Sequence, residues 1–148
     1  MPKVCAIIIT FQPNCRHLID LVVSLLRQCE KIYIVYNTEP LDDSVFECLL
    51  GLSYNSEKVS MLRLGSNLGI ATAINIGIKE ALAESPNFIL LSDQDSLPAD
   101  DMVLNLLLAY ENLARSNLKI GAVGPTFTDL YTKITYPFQV ELPKHFFY

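Results

Sequence analysis

Two aspartates one residue apart, Asp93 and Asp95, follow an apolar run at residues 88–91 near the middle of the chain. An apolar strand can end in two carboxylates only where something compensates their negative charge. In an open parallel sheet, ligands bind at the carboxyl ends of the strands. Hard oxygen ligands there suit a divalent cation such as Mg²⁺ or Mn²⁺, which in turn suits a substrate that carries phosphates. The pair therefore predicts a metal-assisted site for a phosphorylated or nucleotide-linked substrate.

The same two residues could serve structure alone, because Asp favours turns and helix caps. Asp100, however, already stands where the next helix needs its N-cap. Two further carboxylates close together would repel each other without a counter-cation. The functional interpretation is therefore favoured over the structural one.

Patterns typical of strands and helices alternate along the chain, and these elements must position the acidic pair. Apolar, β-branched runs predict strands at Val4–Thr10 and at residues 31–35, 59–64, 87–91 and 120–123. Apolar residues at helical spacing predict helices at residues 16–28, 44–50 and 70–83, and a further helix that Pro98 and Asp100 begin and that runs to about residue 114. The alternation predicts the α/β class, with a doubly wound, mostly parallel sheet.

Composition and charge exclude several classes of protein. The chain has 148 residues, of which 51% are hydrophobic, and a formal net charge of −5. This length predicts one domain with a proper core, and no apolar run approaches the ~18 residues of a membrane span. The negative charge argues against nucleic acid or an anionic membrane surface as the main partner. No signal-peptide pattern precedes the first strand, which predicts a cytoplasmic protein, with peripheral attachment at the inner face of the membrane as an alternative.

The four cysteines, Cys5, Cys15, Cys29 and Cys48, are widely spaced and form no C-x-x-C motif. Each lies in or beside an apolar segment. They are predicted to be reduced, buried thiols rather than zinc ligands or disulfides.

Other motifs that bind phosphate match this sequence less well than the acidic pair does. A dinucleotide-binding turn needs G-x-G-x-x-G after the first strand, but residues 11–14 contain no glycine, and no P-loop motif is present. A receiver domain needs acids after the first and third strands, where this chain has none. A phosphatase of the haloacid dehalogenase type also carries D-x-D at a strand end, usually after the first strand rather than the fourth. That phosphatase remains an alternative.

Four segments in order resemble the family 2 glycosyltransferases, which have the GT-A fold and use nucleotide sugars. They are I-I-I-T-F at 7–11, V-Y-N at 35–37, N-L-G-I-A-T-A-I-N-I-G at 67–77 and D-Q-D-S at 93–96. Any one segment is a weak signal, whereas the ordered set, spanning roughly residues 3–128, is specific. The D-Q-D-S form with N-L-G-I-A upstream is most similar to bacterial rhamnosyltransferases that build surface polysaccharides from dTDP-rhamnose.

The resemblance implies a set of residues that bind the nucleotide sugar: Thr10, Phe11, Tyr36, Asn37, Asn67, Gly69, Asp93, Gln94 and Asp95. Thr10 and Phe11 would line the base and ribose. Tyr36 replaces the Asp that contacts the base in the family, and it could stack on the base or donate through its hydroxyl group.

The remaining roles concern the diphosphate. Asn67 and Gly69 would form the turn before a helix whose N-terminus offers free N–H groups to phosphate. Asp95 would bind the Mg²⁺ or Mn²⁺ that bridges to the diphosphate, and Asp93 would contact the ribose or the metal through water. Gln94 would help to position the donor.

The resemblance also implies what this chain should lack. Inverting members use a carboxylate base in an acceptor-binding half, and the tail offers only Asp129 and Glu141, so no catalytic base is assigned. The prediction is a nucleotide-sugar-binding domain at residues 1–128 and an irregular tail at 129–148 that leads toward a missing acceptor-binding half.

The predicted partners are dTDP-rhamnose or a UDP-sugar as donor and a glycan or lipid-linked acceptor, and a homo-oligomer is compatible with the sequence. The alternatives are a fragment that binds nucleotide sugar without transferring it, and the phosphatase.

Overall fold

The structure, a computed structural model, describes residues 2–38, 47, 50–51, 57–116, 119–129 and 131–136. The chain forms two compact units, Met1–Asp100 and Asp101–Tyr148. The first unit contains all the predicted binding residues. The predicted division at residue 128 stays a prediction.

A four-stranded parallel sheet forms the centre of the first unit. Its strands are β1 (Val4–Thr10), β2 (Lys31–Tyr36), β3 (Val59–Arg63) and β4 (Phe88–Asp93). They lie in the order β3-β2-β1-β4, and every neighbouring pair is parallel. The strands read as continuous apolar runs because helices cover a parallel sheet. The predicted fold class is confirmed.

β4 ends two residues later than predicted. Ser92 and Asp93 continue the ladder opposite Ile8 and Ile9 of β1. The acidic motif therefore begins inside the strand, so that the backbone of Asp93 is held by the sheet.

Two helices of the first unit were predicted close to their observed bounds. Helix α1 (Cys15–Leu26) begins after Asn14, whose Oδ1 accepts hydrogen bonds from the N–H groups of Arg16 (3.0 Å) and His17 (3.2 Å). Such a cap satisfies two of the N–H groups that a helix start leaves without partners. Helix α2 (Ile70–Leu82) follows β3.

Helix α2 lies very close to the sheet at Gly77. A Cβ placed on Gly77 would come within 2.6 Å of Ile7 Cγ2 and 3.0 Å of Val35 Cγ2. Glycine is therefore required by packing at this point. The cluster of buried residues between α2 and the sheet includes Cys5, Ile7, Val35, Ala73 and Ala81.

The second unit contains helix α3 (Met102–Ala114) and a short antiparallel hairpin of β5 (Phe127–Thr128) and β6 (Thr135–Tyr136). The residue before α3 is Asp101, and its side chain makes no capping hydrogen bond. The prediction that Asp100 caps this helix is wrong, because the helix begins two residues later than Asp100. Asp100 instead lies 3.9 Å from the exposed guanidinium of Arg27.

The predicted strand at 120–123 is also wrong, since residues 119–126 adopt no helix or strand. Gly121 and Gly124 interrupt the apolar run, and strand propensity acts only where a neighbouring strand pairs with the segment. Most of the predicted helix at 44–50 lies outside the described residues, although Glu47 and Leu50 are helical. Within the described part of the chain, no helix has the length and hydropathy needed to cross a membrane.

Candidate functional site

A cavity of about 620 Å³ opens at the carboxyl ends of β1, β2 and β4. Strands β2 and β3 add to one side of β1, whereas β4 adds to the other. The cavity therefore lies at the point where the strand order reverses, and open α/β sheets bind ligands at this point. Its volume is within the range of about 300–1,000 Å³ that is usual for small-molecule sites.

Seven of the nine predicted binding residues line this cavity. They are Phe11, Asn37, Asn67, Gly69, Asp93, Gln94 and Asp95. They lie at or after the carboxyl ends of the four strands, up to 84 positions apart in the sequence (residues 11 to 95). The parallel sheet brings them together because all its strands end on the same side.

Thr10 and Tyr36 do not line the cavity, contrary to prediction. Thr10 is fully buried, and its hydroxyl group donates to the carbonyl of Val35 at 3.3 Å. Tyr36 is 2% exposed. Successive side chains of a strand point to opposite faces of the sheet. Since Ile9 and Phe11 face the cavity, Thr10 between them faces away, and the stacking on a base predicted for Tyr36 is not available to a buried ring.

Asp93 and Asp95 are both exposed at the rim of the cavity. The backbone carbonyl of Asp93 accepts a hydrogen bond from the N–H of Ser96 at 3.4 Å, which closes a turn around the pair. Within the described residues, neither carboxylate has a hydrogen-bond or ion-pair partner. The pair is therefore a concentration of negative charge that no other side chain in the described ranges neutralises.

The donor chemistry of this pair fits a cation that is shared with a substrate. Among the described residues, no group of three or more His, Cys, Asp or Glu side chains could hold a metal by itself. Mg²⁺ is usually bound by one or two carboxylates together with substrate phosphates and water, rather than by a cage of protein ligands. Asp93 and Asp95 match that arrangement, and they do not match a structural metal site.

The side chain of Gln94, between the two aspartates, is committed to the backbone of Phe11. The N–H of Phe11 donates to Gln94 Oε1 at 2.8 Å, and Gln94 Nε2 donates to the Phe11 carbonyl at 3.1 Å. Gln94 therefore cannot position the donor through a free amide group that reaches into the cavity. The amide joins the loop after β4 to the loop after β1.

Asn37 makes a comparable connection on the other side of the cavity. It is 4% exposed, its Oδ1 accepts from the N–H of Leu68 at 2.8 Å, and its Nδ2 donates to Asn67 Oδ1 at 3.2 Å. Its backbone N–H donates to the carbonyl of Thr10 at 2.9 Å. Asn37 thus fixes the turn before α2 relative to the ends of β1 and β2.

The N-terminus of α2 borders the cavity at Gly69 and Ile70. Gly69 has φ +81°, a left-handed conformation that glycine adopts without strain. Its N–H donates to Asn67 Oδ1 at 3.0 Å. Because glycine has no side chain to cap the helix, the next N–H groups of α2 are not capped by the N-cap residue, and such groups attract anions.

Sequence reasoning missed the apolar wall of the cavity, which is formed by Ile7, Ile9, Ile70, Ile74 and Leu91. Ile70 and Leu91 are 63% and 51% exposed, although both lie in the apolar patterns that predict a helix at 70–83 and a strand at 87–91. Strand alternation could have identified part of this wall. Ile7 and Ile9 share a face with Phe11, and Leu91 shares one with Asp93.

Asp129, one of the two acids in the tail, has a structural role. Its Oδ1 accepts from the N–H groups of Tyr131 (2.9 Å) and Thr132 (2.6 Å) and from the hydroxyl group of Thr132 (2.9 Å). Hydrogen bonds from Thr132 and Tyr131 to the charged form lower the pKa of Asp129. These hydrogen bonds show that the Asp129 carboxylate stabilises the turn between β5 and β6. Glu141 lies outside the described residues.

The fold and the position of the cavity are those of an α/β protein that binds a ligand at the switch point of a parallel sheet. Sequence comparison identifies the family. Residues 5–132 match Glycosyl transferase family 2. The chain belongs to this family.

Two relatives with named transferase activities match most of this chain. The chain is 32% identical over 135 residues to the dTDP-rhamnosyl transferase RfbF of Shigella flexneri, a match that covers 91% of this chain and 42% of that protein. It is 36% identical over 112 residues to the galactofuranosyltransferase GlfT1 of Mycolicibacterium smegmatis, covering 72% of this chain and 34% of that protein. The chain thus spans less than half the length of these relatives.

A solved structure shares the fold. The mannosyltransferase PcManGT from Pyrobaculum calidifontis, in complex with GDP-Man and Mn²⁺, superposes with a TM-score of 0.60 and 16% sequence identity. The match covers 72% of this chain and 31% of that protein. At this identity the likeness supports the fold alone.

Proposed function

We propose that this chain forms the donor-binding part of a glycosyltransferase that transfers rhamnose from dTDP-rhamnose to a surface-polysaccharide acceptor. The observation that carries the proposal is the exposed pair Asp93 and Asp95, which has no partner among the described residues and borders a cavity at the switch point of the sheet. The similarity to a dTDP-rhamnosyl transferase supports rhamnose as the sugar.

In this proposal each wall of the cavity takes one part of the donor. Phe11, which is 46% exposed, offers a ring face to the base. The N–H groups at the start of α2 bind a phosphate oxygen. Asp93 and Asp95 hold Mg²⁺ or Mn²⁺ together with the diphosphate. When bound, such a cation supplies positive charge that stabilises the departing nucleoside diphosphate.

Transfer with inversion would need a carboxylate base. Among the described residues that line the cavity, only Asp93 and Asp95 carry an acid. A second candidate function is therefore a nucleotide-sugar-binding unit that does not transfer sugar on its own. The coverage of less than half of each characterised relative favours this candidate for the isolated chain.

Thermal unfolding of the purified chain tests donor binding. We expect dTDP-rhamnose with Mn²⁺, at about 100 times Kd, to raise the Tm by about 5–10 °C, because binding to the folded state adds about 2.7 kcal/mol to its stability. Asp95→Asn should abolish the shift. Asp20→Asn, which changes an exposed aspartate of α1 away from the cavity, should keep it.

The two candidate functions differ in the release of dTDP. A transferase, given a suitable acceptor, releases dTDP from the donor, whereas a binding unit leaves it intact. Absence of any metal-dependent shift with dTDP- or UDP-sugars would exclude both.

A further inference from the structure

Gln94 connects the two loops that meet across the switch point. Its amide oxygen accepts from the N–H of Phe11 at 2.8 Å, and its amide nitrogen donates to the carbonyl of the same residue at 3.1 Å. A side-chain amide carries one acceptor and donors on neighbouring atoms, as a peptide unit does. Gln94 therefore pairs with Phe11 much as a strand backbone would.

This pairing begins where the backbone ladder ends. The last paired residues of β1 and β4 are Ile9 and Asp93. Beyond them the chain after β1 turns away, since Gln12 has φ +45°, a left-handed value that is uncommon for a residue other than glycine. Without Gln94, the backbone groups of Phe11 would lose these two bonds at the point where the loops diverge.

The loop after β4 is also held at its other end. Ser24 Oγ donates to the carbonyl of Pro98 at 3.1 Å, and Gln28 Nε2 donates to that of Ala99 at 2.9 Å. Asp95 thus lies in a segment that is anchored at Gln94 and again at Pro98 and Ala99. Because neither acidic side chain has a partner in the described part of the chain, these anchors fix where the carboxylates stand.

We propose that Gln94 is a positioning residue, which holds the acidic pair at a set distance from the Phe11 turn. A nucleotide that packs on Phe11 and a cation bound by Asp93 and Asp95 would then meet at one diphosphate. The inference rests on the proposed function for its consequence, whereas the Gln94 connection itself can be tested without any ligand.

The chain offers a matched control at the opposite end of the same strand pair, just before β1 and β4 begin. Asn87 Oδ1 accepts from the N–H of Lys3 at 2.7 Å, so it too joins the segments of β1 and β4 through a side-chain amide. Gln94→Met and Asn87→Leu each remove the amide while keeping the approximate size of the side chain. Gln94→Asn keeps the amide but shortens the side chain by one methylene group. This variant replaces Gln94→Met in the test if Gln94→Met does not fold.

Two measurements on each variant decide the proposal. Hydrogen exchange of the Phe11 N–H, followed by NMR without ligand, should be about five to ten times faster in Gln94→Met and Gln94→Asn, as expected for the loss of one hydrogen bond. The affinity for dTDP should fall about tenfold or more in these variants when Mn²⁺ is present, because small misplacements of positioned groups are costly. Without Mn²⁺ it should change little. Asn87→Leu should match the wild type in both measurements.

Each outcome has a distinct meaning. Unchanged exchange at Phe11 would overturn the proposal, and so would faster exchange with unchanged Mn²⁺-dependent binding. If Asn87→Leu lowers the affinity as much as Gln94→Met, Gln94 contributes stability alone and the proposal fails. If the wild type binds neither dTDP nor UDP while Gln94 protects Phe11, the proposed function fails and the Gln94 connection stands.

Discussion

The carboxyl ends of β2 and β4 lie on the same side of the sheet, and both carry polar residues. These residues differ in burial and in hydrogen bonding. Asn37, after β2, is 4% exposed, and both polar atoms of its side chain are hydrogen-bonded within the protein. Asp93 and Asp95, at the end of β4, are exposed and have no side-chain partner among the described residues. A buried polar group whose hydrogen bonds are satisfied stabilises the fold, whereas exposed carboxylates without a partner among the described residues leave their oxygens available to a ligand.

The contrast separates two energetic roles that residue type alone does not reveal. Removing Asn37 should cost stability, and removing the carboxylates should cost binding. The predictions below test this separation, beginning with the largest expected change in the free energy of unfolding.

Asn37→Leu should lower the free energy of unfolding by about 2–3 kcal/mol, because the N–H of Leu68 and the side chain of Asn67 lose their partner next to a buried position. Urea unfolding at pH 7 measures the loss. A decrease below about 0.5 kcal/mol would show that water replaces Asn37 without cost, and the structural role assigned to the end of β2 would be incorrect.

Gly77→Ala should lower the free energy of unfolding by about 1–2 kcal/mol. The added Cβ would lie 2.6 Å from Ile7 Cγ2, and the cost of overpacking exceeds the gain of about 1 kcal/mol in helix propensity. Gly121→Ala is the matched control, because a Cβ there meets no atom within 4 Å. Equal effects of the two substitutions in urea unfolding would contradict the close contact between α2 and the sheet.

Cys29 should make the fold less stable in alkali. Burial, and then the nearby Cys5 thiol, raise the pKa of Cys29 from 9.0 to about 12. Because the folded-state pKa is the higher one, the stability that the neutral thiol contributes is complete below pH 9.0 and is lost as the pH rises toward 12. The loss at pH 10 should be about 1 kcal/mol. Urea unfolding at pH 8 and pH 10 should show a smaller decrease in Cys29→Ala than in the wild type.

Asp93→Asn and Asp95→Asn should each change the free energy of unfolding by less than about 0.5 kcal/mol, as is usual for exposed residues without partners. Relief of repulsion between the two carboxylates acts in the stabilising direction. A loss above about 1 kcal/mol in urea unfolding would mean that the acids serve the fold as Asn37 does, and the comparison would no longer separate the two loops.

Much of the fold could be predicted from the sequence, because apolar runs and helical periodicity record burial directly. β1 and the first helix follow from such patterns. The segment at 120–123 carried a similar apolar run but formed no strand, since pairing depends on a neighbour that the local sequence does not specify.

The sequence predicted which chain segments meet at the candidate site. It predicted less well which side chains of those segments face the cavity. The acidic pair was evident from its two carboxylates after an apolar strand. Thr10 and Tyr36 were misplaced because the resemblance assigned their roles by position, while strand alternation and burial on both faces decide where their side chains point. The contact of Gln94 with Phe11 spans 83 positions and depends on β4 lying beside β1, which no local pattern indicates.

Electron paramagnetic resonance of Mn²⁺ tests the central claim most directly, namely that the acidic pair shares a cation with a diphosphate. The account predicts that the wild-type chain and dTDP together remove more of the free Mn²⁺ signal than the sum of what each removes alone. In the variant that combines Asp93→Asn with Asp95→Asn, this excess should disappear. An excess of equal size in that variant would contradict the account, because the cation would then be bound elsewhere.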